Sequence, residues 1–80
     1  MRICEVRRFI RGFIVYVNLP EDIKLLKKDN RFNFHASYEE HNGKLLGQEF
    51  SFKCTATTLN GAKSFIETIL HMKEVPNGSK

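Results

Sequence analysis

The segment EEHNGKLLG, residues 39–47, decides how the rest of the chain is read. Asn42-Gly43 between two alternating runs is a strong hairpin signal, and the length of the loop sets which side chains share a face. A two-residue Asn-Gly loop pairs His41 with Lys44, placing Phe34 opposite Ser51 and Ala36 opposite Glu49. The apolar rows then miss one another. A three-residue loop, His41-Asn42-Gly43, pairs Glu40 with Lys44, Tyr38 with Leu46, Phe34 with Phe50 and Phe32 with Phe52. It also puts Gly43 where a type I turn with a G1 bulge needs a left-handed residue. The three-residue loop is the expectation. It gathers Phe32, Phe34, Ala36 and Tyr38 with Phe50, Phe52, Cys54 and Ala56 on one face. Asn33, His35, Ser37 and Glu39 then lie on the other, opposite Ser51, Glu49, Gly47 and Leu45.

Upstream, RICEVRRFIRGFIVYVNL is rich in β-branched and aromatic residues. A strand is predicted over 12–18, with residues 2–10 as a short leading strand set off by a bulge or bend at Gly12. PEDIKLLKK, 20–28, reads as a helix: Pro20 suits the first position, and Glu21 and Asp22 at one end and Lys27 and Lys28 at the other match the dipole. Downstream, Ala62, Phe65, Ile66, Ile69 and Leu70 recur at amphipathic spacing, predicting a helix over 58–73 with Thr57 or Thr58 as N-cap. The expected fold is α+β in the order β-α-β-β-α, a three-stranded antiparallel sheet with the C-terminal helix on its phenylalanine face. One domain over 1–74 and a tail at 75–80 follow.

The chain has 80 residues, 41% of them hydrophobic and 28% charged, ordinary values for a globular domain. It carries no secretory signal pattern and no membrane-length apolar run, so the expected setting is cytoplasmic. Cys4 and Cys54 form no CxxC and read as small buried hydrophobes. No metal signature, phosphate loop or catalytic carboxylate pair is present, and no cofactor is expected. Ser51, His35 and Glu49 on one flat face have the inventory of a hydrolase but neither its cleft nor its oxyanion donors, which argues against an enzyme.

All of the net charge of +4 resides in residues 1–31, where eight basic groups face four acidic ones. Arg7, Arg8, Arg11, Lys24, Lys27, Lys28 and Arg31 are therefore candidate phosphate contacts for a nucleic acid. The other candidate surface is the sheet face away from the C-terminal helix. There Ile14 and Tyr16, rimmed by Asn33, His35, Glu49 and Lys53, would form an apolar patch suited to a protein partner. A free edge strand offers a second route, including homodimerisation. The leading expectation is a small non-enzymatic protein-binding module, of the inhibitor or accessory-subunit type; the alternative is nucleic-acid binding.

The order strand, NG turn, strand and threonine-led helix over residues 31–72 resembles the sheet-plus-helix of AP2-type and integrase arm-binding DNA domains. It is also similar to the latter part of a double-stranded RNA-binding domain. The RNA-binding family opens its last helix with a basic run, where this chain has LNGAKS with one lysine, and the open face offers Asn, His, Ser and Glu rather than basic groups. The β-α-β-β-α order further resembles the Pcc1-type subunit of the tRNA-modifying KEOPS complex, without a shared motif. These resemblances imply architecture and transfer no site residue.

Overall fold

A computed structural model describes residues 1–72. Six elements follow in order: β1 (Cys4–Phe9), β2 (Gly12–Val17), α1 (Pro20–Lys28), β3 (Phe32–Glu39), β4 (Leu45–Phe52) and α2 (Leu59–Ile69). The sheet is antiparallel with four strands, not three, in the order β1-β2-β4-β3. The expected leading strand and main strand are two arms of a separate hairpin, in which Phe9 pairs with Gly12 and Ile10-Arg11 form the turn. The tail expected at 75–80 and the last position of the helix expected to reach 73 lie outside the described residues. Among the described residues, no helix is long and apolar enough to cross a membrane.

The first turn carries a conformational cost. Ile10 has φ of +31° and is 89% exposed, so a β-branched residue occupies a region that disfavours it while its side chain is largely in water. Replacing Ile10 by glycine is expected to stabilise the domain by about 1 kcal/mol, relief of strain outweighing the added freedom of the unfolded chain. The check is the urea midpoint, which should rise.

Both helices lie on one face of the sheet. Ile23 and Leu26 of α1 and Ala62 and Ile66 of α2 join Phe13, Val15, Val17, Phe32, Phe50 and Phe52 in a single core, closed by Leu70. Pro20 opens α1, whose Leu19 cap makes no side-chain hydrogen bond. Thr58 caps α2, its Oγ1 accepting from the Gly61 amide at 3.1 Å. Helix α2 stops at Ile69 because His71 turns left-handed, with φ of +56°. The Met72 amide then donates to the Glu67 carbonyl at 2.8 Å and that of His71 to Thr68 at 3.3 Å, a Schellman ending. Arg2 ties the start of the sheet to both helices. It grips Asp22 with Nε and Nη2 at 2.9 and 2.8 Å, and Nη2 also donates to the Leu70 carbonyl at 3.0 Å.

Cys4 and Cys54 are free thiols, partly buried against the core. Burial, reinforced by the nearby Asp22 charge, pushes the Cys4 thiol up to about 11. Only about one part in a thousand is thiolate at pH 8, so Cys4 should react with iodoacetamide orders of magnitude more slowly in the native protein than in urea. Peptide-mapped alkylation rates test this.

The β3–β4 hairpin has the three-residue loop. The Glu40 amide donates to Lys44 O and the Gly43 amide to Glu40 O, both at 2.8 Å, with Gly43 at φ of +89°. Phe32 pairs with Phe52, Phe34 with Phe50 and Glu39 with Leu45, as that loop requires. Between them the register departs from expectation: Ala36 pairs with Glu49, Ser37 with Gln48 and Tyr38 with Gly47. His35 is an extra residue on β3 and Leu46 an extra residue on β4, and the two irregularities cancel. The middle of the hairpin thus runs in the register that a two-residue loop would give. Ala36 and Tyr38 consequently leave the phenylalanine face for the open one.

Candidate binding site on the open sheet face

Alternation along each strand assigns the open face. Glu5, Arg7 and Phe9 come from β1, Ile14 and Tyr16 from β2, Glu49 and Ser51 from β4, and Asn33, Ala36 and Tyr38 from β3. No helix packs there, yet the face closes over itself. Ile14 is fully buried although it is not part of the helix-side core. The expectation that Ile14 offers an apolar contact surface is therefore overturned: long side chains on neighbouring strands shield it. The His35 ring meets Phe9 edge-on at 4.9 Å, spanning β4 and β2. His35 also does not pair with Glu49, since Ala36 takes that place.

Glu49 is the centre of this face. It is 5% exposed, and its Oε2 accepts from Arg7 Nη1 at 2.8 Å, a bridge that crosses β2. Its other oxygen, Oε1, is buried and closes no hydrogen bond, although the Tyr38 phenol stands beside the carboxylate. An unsatisfied buried carboxylate oxygen is costly and calls for an explanation. Beside it stand two tyrosines, their rings 5.9 Å apart at 61°. Tyr16 is fixed by its hydroxyl, which donates to the Leu46 carbonyl at 3.1 Å. Its ring lies so close over Gly47 that a Cβ there would overlap the ring and its hydroxyl, so the glycine makes room for the tyrosine. Tyr38 is more open to solvent, 42% exposed on the edge strand. The Glu49 carboxylate, as a nearby acceptor for the phenol in a partly desolvated site and as a charge, pushes the Tyr38 pKa up. Glu5, Val6, Arg7, Tyr16, Tyr38 and Glu49 together line an open concavity of about 370 Å³.

Of the residues expected in a protein-binding patch, Tyr16 and Glu49 converge here. Asn33 and Lys53 instead line a second concavity, of about 550 Å³, at the β1–β2 turn together with Arg11, Arg31 and Ile10. From sequence, Tyr38 falls on the opposite face, Glu5 has no assigned role and Arg7 reads only as a phosphate contact; the His35 bulge delivers Tyr38 to this face. The alternation of Glu5, Arg7 and Phe9 along β1 was the signal for Glu5 and Arg7.

The basic groups of residues 1–31 do not form one surface. Arg7 is bound to Glu49, and Arg8 donates to the Thr57 carbonyl at 2.8 Å and covers the Phe13 ring. Arg31 grips Asp29 through two nitrogens, at 2.9 and 2.6 Å, which holds the Asp29 carboxyl below its usual range. Lys24 and Lys28 line a groove along α1, where Lys27 is also exposed. Only Arg11 and Arg31 of this set meet, with Lys53, at the second concavity.

No family model, curated protein or solved structure matches this chain.

Proposed function

We propose that the protein is a small, non-enzymatic protein-binding module that engages its partner through the open face of the sheet. The observation that carries this reading is the buried Glu49 carboxylate with one free oxygen, set beside the Tyr16–Tyr38 pair on a face that no helix covers. Partly exposed tyrosines over a buried polar group are what interface centres use, because they bring area and a hydrogen-bonding tip at small entropic cost. An inhibitor or an accessory subunit would both fit this description. The test is a peptide-display selection against the immobilised protein, with Tyr38→Ala as counter-target. Binders that lose at least tenfold in affinity on Tyr38→Ala support the reading. Binders that ignore this substitution, or none at all, overturn it.

The nucleic-acid alternative is favoured by one feature, the meeting of Arg11, Arg31 and Lys53 around a concavity lined by no carboxylate. It predicts binding of labelled RNA or DNA that survives physiological salt, falls steeply as salt rises, and weakens on reversing Arg11 and Lys53. Binding that vanishes by about 150 mM salt assigns the surplus charge to solvation.

A further inference from the structure

We propose that the concavity between Tyr16, Tyr38 and Glu49 receives the ammonium group of a lysine side chain presented by a protein partner, with Glu49 Oε1 accepting its hydrogen bond. This rests on the reading of the open face as a protein-binding surface and names what that surface recognises. Four observations converge. First, Oε1 is buried and closes no hydrogen bond; the neighbouring donor is the Tyr38 phenol, half-exposed on the edge strand, which an incoming ammonium would displace to reach the carboxylate. Second, the lining carries Glu5 and Glu49 against Arg7 alone, a net negative spot on a chain of net charge +4. Charge complementarity therefore favours a cation at this concavity. Third, two aromatic rings at 61° to one another flank the space, and ring faces attract ammonium groups and pack well against aliphatic stems. Fourth, Arg7 already holds Oε2, leaving a single acceptor. A guanidinium fork needs both oxygens of a carboxylate for its best geometry, whereas a compact ammonium needs one. Among the described residues no three His, Cys, Asp or Glu side chains gather to hold a metal ion.

The probe is Nα-acetyl-lysine N-methylamide, titrated into the isotopically labelled protein at low salt, with the norleucine analogue as an uncharged match. The lysine probe should give saturable NMR shifts at Tyr16, Tyr38 and Glu49, with a dissociation constant on the order of millimolar. The norleucine probe should give none. Glu49→Gln should weaken the lysine probe at least tenfold, and Tyr38→Ala, on an exposed edge position, at least threefold should Glu49→Gln prove unfolded. Absence of saturation up to about 50 mM, or equal shifts from both probes, overturns the lysine site. Display-selected peptides separate the two levels. Binders that need Tyr38 but carry no enriched lysine and tolerate Glu49→Gln overturn the lysine assignment while leaving protein binding in place. Binders that carry a lysine and lose tenfold on Glu49→Gln support both.

Discussion

Replacing Arg2 by alanine is expected to destabilise the fold by about 3–5 kcal/mol, a large share of what a domain of this size possesses. Asp22 is 1% exposed, and Arg2 supplies both hydrogen bonds its carboxylate makes to a side chain. Without Arg2 a charged group remains in the helix–sheet layer with no counterion, and the Leu70 carbonyl at the end of α2 loses its donor as well. The two substitutions of the pair are not equivalent. Asp22→Ala leaves behind a guanidinium that is already one third exposed and can turn to water, so it should cost less. The double variant Arg2→Met with Asp22→Leu removes both charges and fills the space with apolar atoms, and should recover most of the loss. Urea midpoints at unchanged slope measure all three. Equal stability of Arg2→Ala and wild type would mean that the bridge is ornamental.

Ile14→Asp is the second large effect, expected to exceed about 5 kcal/mol and leave the chain unfolded at room temperature. The side chain is fully buried, so the loss of its apolar contacts and the desolvation of a new carboxylate add together. Arg7, directly opposite Ile14 on β1, is the obvious rescuer, but it is already bound to Glu49. Drawing it away would strand Glu49 instead. Ile14→Val, by contrast, should cost about 1 kcal/mol and remain folded. Circular dichroism and NMR dispersion distinguish the two, and a folded Ile14→Asp protein would show that the open face is wetter than its geometry implies. The contrast matters for function, because Tyr38 can be altered to probe binding and Ile14 cannot.

What the sequence disclosed, and what it hid, follows from how local the deciding forces are. The amphipathic spacing of Ala62, Ile66 and Leu70, the threonine cap, and the Pro20 start of α1 are short-range signals, and each has its counterpart in the fold. The Gly43 loop is equally local. The first hairpin was hidden because its turn is Ile10-Arg11, without the glycine, asparagine or aspartate that usually marks a reversal. The His35 bulge was hidden for a different reason. Phe32, Phe34, Ala36 and Tyr38 alternate without a break, so nothing within β3 announces an extra residue. The companion lies elsewhere: Tyr38 meets Tyr16 on β2, two strands away, and a tertiary contact overrides the pattern. Tyr16 and Glu49 are therefore legible in the sequence as open-face residues, whereas the pattern places Tyr38 on the opposite face. Arg7 reads from sequence as a phosphate contact because its partner Glu49 is 42 residues away.

The bulge at His35 also bears on how copies of this protein behave at high concentration. Strand β3 is an outer strand, eight residues long, with Phe34 58% exposed, the sort of rim on which β-sheets polymerise. Polymerisation by strand addition needs an unbroken row of outward-facing amides in one plane. One surplus residue in mid-strand breaks that row and twists it out of plane. The irregularity that carries Tyr38 to the open face is thus also a guard against fibril growth, and deleting His35 should lower the concentration at which the protein begins to precipitate.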